Sequence, residues 1–164
     1  MSKAIVLLSG GQDSTTSLYW ARQHFDELLA LNIFYGQRHR TEVRAAVRIA
    51  EMAGAPIERL EAPVLGKIGG SALVDKSLTL TADGGHADHA APLGLPSSFV
   101  PGRNALFLTL AAAVAVREGV NDIVTGVCQT DYSGYPDCRR EFVDAMEVML
   151  AVAMPSGAGP IRIV

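Results

Sequence analysis

The apolar run Ala4-Ile5-Val6-Leu7-Leu8 breaks off at Ser9-Gly10-Gly11-Gln12-Asp13-Ser14. An unbroken apolar stretch with no polar alternation reads as a strand buried on both faces, and the double glycine after it reads as a turn. From Asp13 to His24 the chain then reads as a helix, with Leu18, Trp20, Ala21 and Phe25 as apolar anchors. Strands buried on both faces belong to parallel sheets covered by helices, so this opening already limits the chain to few folds. The pattern repeats downstream. Leu28 to Phe34 predicts a second strand, and Ile57 to Leu60 a weaker third. Between them Thr41 to Met52 predicts a helix capped by Thr41 and ended by Gly54, with Val43, Ala46, Val47, Ile49 and Ala50 as its apolar stripe. The order β-α-β-α-β predicts the α/β class, with a parallel sheet and crossover helices.

The chain has 164 residues, of which 49% are hydrophobic and 19% charged, enough for one domain over 1–164 with a real core. Residues 62–98 are rich in Gly, Pro, Ser, Thr and Asp and predict a long, lid-like insertion loop. Regular structure resumes with a helix over Arg103 to Glu118, a strand over Asp122 to Thr125, and a polar loop to Asp137. A helix over Arg139 to Met154 and a strand starting at Ile161 follow. The apolar stretches are too short for a signal peptide or a membrane helix, which predicts a cytoplasmic protein without a membrane partner. The net charge of −3 argues against a nucleic-acid partner, because phosphate backbones demand clustered Lys and Arg. Cys128 and Cys138 are the only cysteines, too few for a four-cysteine zinc site.

The loop from Ser9 to Thr15 carries the chemistry. Gly10 and Gly11 let the backbone approach an anion, and the following helix offers unpaired N–H groups and a partial positive charge. Ser9, Ser14 and Thr15 add hydroxyls that can reach phosphate oxygens. The residues match neither G-x-x-x-x-G-K-[ST] nor G-x-G-x-x-G, so this is neither a Walker loop nor a dinucleotide fingerprint. The plain alternative is an ordinary strand-to-helix turn capped by Asp13 or Ser14. Three more segments fall where a parallel sheet binds ligands, beyond the carboxyl ends of its strands. Tyr35-Gly36-Gln37-Arg38-His39-Arg40 follows the second strand, and its arginines suit phosphate or carboxylate. Phe99-Val100-Pro101-Gly102-Arg103-Asn104 opens the most apolar helix. Gly126 to Arg139 holds the carboxylates Asp131 and Asp137 and the flat rings of Tyr132 and Tyr135, which suit a heterocycle. Cys128 and Cys138, ten apart, read mostly as packing residues.

Ser-Gly-Gly-x-Asp-Ser after a first strand resembles the pyrophosphate loop of the adenine-nucleotide alpha-hydrolase, or PP-loop, superfamily. Taken with YGQRHR, FVPGRN and TGVCQTDYSGYPDCR, it resembles the 7-cyano-7-deazaguanine synthase family of queuosine biosynthesis, in order from about Ala4 to Met154. The resemblance implies a Rossmann-like parallel sheet with helices on both faces, of the PP-loop ATP pyrophosphatase type. It implies an ATP-dependent carbon–nitrogen ligase that converts 7-carboxy-7-deazaguanine and ammonia to the nitrile through an adenylated carboxylate. The cofactors implied are ATP and Mg²⁺, and the assembly implied is a homodimer. By this reading Asp13, Arg103 and Asp131 are catalytic. Ser9, Gly10, Gly11, Gln12, Asp13, Ser14, Thr15, Tyr35, Gly36 and Gln37 bind the nucleotide. Arg38, Asn104, Tyr135 and Asp137 bind the substrate.

The family continues past a strand resembling Ile161 to Val164 with a helical stretch and four cysteines that hold structural zinc. Neither Cys128 nor Cys138 matches those ligands, so no zinc-binding residue carries over to this chain, while Asp13 could bind Mg²⁺ or fix the loop. A missing module predicts an open sheet edge and lost stabilisation. Two other functions stay open: another PP-loop adenylating ligase, or a nucleotide-binding remnant without turnover. His86, Asp88 and His89 could form a metal cluster but read better as a solvated loop.

Overall fold

The computed structural model of the protein describes residues 1–36, 40–68, 71–74, 97–127 and 134–164. Strands β1 (Lys3–Leu7), β2 (Glu27–Phe34), β3 (Ile57–Glu61), β4 (Asp122–Val124) and β5 (Arg162–Ile163) form one sheet in the order β3-β2-β1-β4-β5. Every pairing is parallel, with Ile5 of β1 opposite Leu29 of β2 and Ile123 of β4. The helices are α1 (Gln12–His24), α2 (Arg40–Ala53), α3 (Val64–Ile68), α4 (Arg103–Glu118) and α5 (Arg140–Ala153).

Alternation along the strands builds two cores. Ala4, Val6 and Leu8 from β1 and its end, with Leu28 and Ala30 of β2, pack against Leu18 and Ala21 of α1 and Ala46, Ala50 and Ala53 of α2. Ile5, Leu31, Ile33 and Ile123 face the other way, onto Leu108, Ala111, Ala112 and Ala115 of α4 and Val143, Met146 and Leu150 of α5. Burying a leucine of this kind contributes about 1.5–3 kcal/mol relative to exposing it. Both faces of the central strands are therefore apolar, which is why β1 reads as an unbroken hydrophobic run.

The elements follow the sequence reading closely, with physical reasons for the differences. Thr41 is the second residue of α2, not its cap, because the helix already begins at Arg40. Trp20 of α1 and Val47 of α2 are partly exposed, since the alanines beside them make the close contact with the sheet. Within 62–98, where a long insertion loop is expected, the described residues include α3, with Leu65 packed against Tyr35 and Val100. The Pro136–Cys138 turn is 3₁₀-helical where a plain loop was expected.

The topology places a crevice at one end of the sheet. From β1 the sheet grows outward through β2 to β3, and β4 then adds on the other side of β1. Strand order reverses between β1 and β4, and the connections that leave their carboxyl ends diverge there and open a crevice.

Candidate active site

Past β1, the Leu8 N–H still donates to the Leu31 carbonyl at 2.9 Å, and the chain then turns into the Ser9–Ser14 loop. Its hydroxyls are tied inward. Ser14 Oγ donates to the Gly11 carbonyl at 3.0 Å and accepts from the Gly10 N–H at 3.2 Å. Ser9 Oγ lies 3.0 Å from Ser14 Oγ and accepts from the Gly11 N–H at 3.2 Å. Because the Ser14 proton is already given to Gly11, Ser9 is the donor in the serine pair. Thr15 Oγ1 also donates to the Gly11 carbonyl, at 2.7 Å. All three hydroxyl protons thus shape the loop, and the donors left for an anion are backbone amides.

Helix α1 supplies them. Gly11 is its N-cap, and no side chain caps it. The first helical bond is from Thr15 N–H to the Gly11 carbonyl at 3.0 Å, so the amides of Gln12, Asp13 and Ser14 precede the ladder. The alternative of a turn capped by Asp13 or Ser14 does not occur: Asp13 stands in the first turn, and the Ser14 hydroxyl faces Gly11. Two glycines set the loop's fit. Gly10 has φ +94°, and a Cβ there would lie 2.4 Å from the Glu42 carbonyl oxygen and 2.8 Å from the Ala46 nitrogen of α2. A Cβ on Gly126, just past β4, would come within 3.1 Å of the Ser14 nitrogen and crowd the open amides.

A cleft of about 320 Å³ lies over this edge of the sheet. Ser9, Asp13 and Ser14 line it from the loop, Tyr35 from the end of β2, and Arg103 and Asn104 from the start of α4. Tyr135 and Cys138 line it from the last segment. The four segments singled out in the sequence therefore converge. The Arg103 guanidinium sits 5.9 Å from the Tyr35 ring centroid, with Nη1 3.5 Å from the Tyr35 hydroxyl. Tyr35 in turn packs on Phe107 of α4, ring centroids 5.5 Å apart. Tyr135 bonds Ser98 at 2.5 Å and packs against Phe99.

Asn104 and Asp137 are found together, and mainly with each other. The Asn104 backbone N–H donates to Asp137 Oδ2 at 3.3 Å, and Asn104 Nδ2 donates to the Asp137 carbonyl at 3.0 Å and to Cys138 Sγ at 3.6 Å. Asp137 is only 7% exposed and is not among the cleft's lining residues. Burial pushes its carboxyl above the ordinary aspartate range, opposed by the Asn104 amide and the Arg103 charge. Its second oxygen, Oδ1, is buried without a hydrogen-bond partner among the described residues.

Gln12 is exposed at the start of α1, and Gly36 lies in the turn after β2 beside Gly66 of α3. Gln37, Arg38 and Asp131 fall outside the described residues, as do Cys128, Tyr132, His86, Asp88 and His89. The sequence reading missed Glu42, Phe107 and Thr125 as lining residues and Gly126 as a site residue. Gly126 carried a signal, a glycine directly after a strand. Glu42 carried none, since its direction depends on how α2 docks. Among the described residues no three His, Cys, Asp or Glu side chains gather closely enough to hold a metal ion.

Comparison with known proteins decides the family. A match to the family "Queuosine biosynthesis protein QueC" runs over residues 3–164. The chain belongs to the QueC family. It is 46% identical over 151 residues to a 7-cyano-7-deazaguanine synthase from Bacteroides fragilis, covering 92% of this chain and 66% of that protein. It is 50% identical over 156 residues to one from Chromobacterium violaceum, covering 94% of this chain and 64% of that protein. This QueC-family chain thus spans just under two-thirds of the length of these curated relatives. Solved structures share the fold, a parallel sheet with helices on both faces. A predicted subunit of tRNA methyltransferase from Methanocaldococcus jannaschii superposes with TM-score 0.59 at 13% identity, covering 100% of this chain and 67% of that one. The U34-tRNA thiolase NcsA from Methanococcus maripaludis superposes with TM-score 0.55 at 16% identity, covering 99% and 51%.

Proposed function

We propose that the chain carries the ATP-dependent synthesis of 7-cyano-7-deazaguanine from 7-carboxy-7-deazaguanine and ammonia. The observation that carries this reading is the uncapped start of α1, kept open by Gly126 and facing Arg103 across one cleft. The fit to a nucleotide is chemical: three free amides at a helix start suit phosphate oxygens, and glycine leaves room for them. The Gln12, Asp13 and Ser14 amides would hold the β and γ phosphates, with Gly10 and Gly11 letting the backbone come close to them. Ser9 and Thr15 would keep the loop in shape, and Tyr35 and Gly36 would flank the nucleotide.

In the first half-reaction a substrate carboxylate oxygen attacks the α phosphorus and pyrophosphate leaves. Ammonia then attacks the activated carbonyl carbon, AMP leaves and a proton is lost, which gives the amide. A second ATP activates the amide oxygen in the same way, and loss of AMP and protons gives the nitrile. The attacking group belongs to the substrate, so the protein's share is placement and charge stabilisation. Arg103 would neutralise charge on the α phosphate or the carboxylate, held in place by Tyr35. Asn104, Tyr135 and Asp137 would shape the deazaguanine side, with Arg38 and Asp131 as further contacts. Asp13 would hold Mg²⁺, which when bound offsets phosphate charge; Glu42 is the other carboxylate lining the cleft among the described residues. Zinc does not fit the described residues, where Cys138 is the one cysteine, and no step here uses it. No helix among the described residues is long and apolar enough to cross a membrane. A cytoplasmic homodimer that acts on small molecules, not nucleic acid, completes the reading.

The test is turnover by this chain with 7-carboxy-7-deazaguanine, ammonium, ATP and Mg²⁺, read by mass spectrometry. Nitrile together with AMP supports the proposal. ATP binding without either product makes the chain a nucleotide-binding protein and overturns the ligase reading.

A further inference from the structure

Asn32 is a polar residue in the middle of an otherwise apolar strand. It is 2% exposed, on the face of β2 that carries Leu28 and Ala30 toward α1 and α2. The register that sets Leu31 beside Leu7 sets Asn32 level with Leu8, the last residue before the phosphate loop. Its Nδ2 donates to the Leu8 carbonyl at 2.7 Å. Its Oδ1 is buried with no hydrogen-bond partner among the described residues.

That is a costly arrangement for stability alone. A leucine of similar volume would fill the same space and remove the unpaired Oδ1, but it would leave the Leu8 carbonyl without its donor. The placement of the one satisfied group explains the choice. The Leu8 carbonyl and the Ser9 N–H share one rigid peptide plane. A donor that fixes the carbonyl therefore fixes the plane on which the loop departs from β1. The next residues are Ser9, whose hydroxyl holds the Gly11 N–H, and Gly10, wedged on α2. Ser9 is the one residue between the held Leu8 carbonyl and the wedged Gly10.

We infer that Asn32 is a positioning residue for the phosphate loop, setting the direction in which Ser9 to Gly11 present the start of α1 to a nucleotide. The inference rests on the proposal that this loop binds ATP. Asn32 itself touches no ligand; it acts through the Leu8–Ser9 peptide.

The experiment compares Asn32→Leu and Asn32→Thr with the unaltered chain. ATP binding is measured by calorimetry, stability by thermal melting, and loop geometry by the amide NMR shifts of Gly10 and Gly11. The expected result splits by readout. Asn32→Leu melts close to the unaltered chain, because it exchanges the unpaired Oδ1 for an unpaired Leu8 carbonyl, while ATP affinity falls about tenfold, the worth of one well-placed hydrogen bond. The Gly10 and Gly11 amide signals move in both variants. A purely structural role would move melting and binding down together. Unchanged ATP binding in either folded variant, within about twofold, overturns the inference while the nucleotide reading stands. Failure of both variants to fold makes Asn32 a fold determinant and also overturns it. Absence of ATP binding by the unaltered chain overturns the nucleotide reading, and this inference with it.

Discussion

The two ends of the sheet are built on opposite principles. At the amino edge, polar groups answer one another. Lys3 pairs with Glu118 at 3.1 Å, Arg117 bridges Glu118 and Glu58, and Arg162 reaches Asp122 at 2.7 Å. At the carboxyl edge, polar groups are left open. Helix α1 starts without a side-chain cap, and Asn32 and Asp137 each bury an oxygen that has no partner among the described residues. Groups already satisfied by the protein have little to offer a ligand, and groups left open cost stability that the rest of the fold must supply. The carboxyl edge is also where the cleft lies, with the uncapped start of α1 in its wall.

Breaking the carboxyl edge has the largest expected effect. Gly10→Ala would drive a Cβ to 2.4 Å from a backbone oxygen of α2 at a φ of +94°. Neither helix backbone nor loop can yield cheaply, so the variant is expected to lose more than about 2 kcal/mol of stability and to abolish ATP binding. Gly157→Ala meets no heavy atom within 4 Å and serves as the matched control, with unchanged melting. Equal melting of the two variants would remove close packing as the reason for glycine in the loop.

Arg103 comes next. It brings a cation to the cleft without a carboxylate partner among the described ion pairs, in contrast to Arg117 and Arg162 at the other edge. Arg103→Ala is expected to lower kcat/KM about ten- to a hundredfold with little change in melting, the range for a lost charge-assisted hydrogen bond. Turnover equal to that of the unaltered chain would take Arg103 out of the chemistry.

The same contrast explains what could be read from sequence. Strands β1 and β2 and helix α4 were legible because both-face burial leaves long apolar runs, and the glycine–hydroxyl loop marked one wall of the cleft. What stayed hidden depends on register and docking. Asn32 is visible as a polar residue in an apolar strand, but only its level beside Leu8 reveals what it holds. Glu42 and Thr125 reach the cleft through the placement of whole elements. Asp137 looks like a surface carboxylate in a polar loop, yet it is buried against the start of α4.

That burial gives Asp137 a pH signature of its own. Its carboxyl is raised, chiefly by desolvation, so the folded state holds its proton more tightly than the unfolded chain. Stability from this site is fully present below the ordinary aspartate range and is lost as pH rises through the raised value. Asp26 and Glu118 at the amino edge are lowered, by hydrogen bonds from Ser2 and from Lys3 respectively, so their contribution is lost as pH falls. Asp137→Asn is therefore expected to remove the downward slope of stability with rising pH and leave the acid-side loss intact. Denaturant melts across the acid-to-neutral range check it; parallel curves for variant and parent would mean that Asp137 ionises freely in the folded state.

The smallest effect belongs to the amino edge itself. Arg117 contacts both Glu58 and Glu118, and these partners raise its pKa, but the guanidinium is about half exposed. Water and salt screen such pairs, and holding a long side chain in place costs entropy that offsets the attraction. Arg117→Ala is expected to lower the melting temperature slightly in dilute buffer and not at all in about 1 M salt, where the screening length is near 3 Å. ATP binding should not change, because the network lies at the end of the sheet away from the cleft. A large loss of stability that persists in salt would show that the ion pairs, and not the two apolar cores, hold β3 and α4 together at this edge.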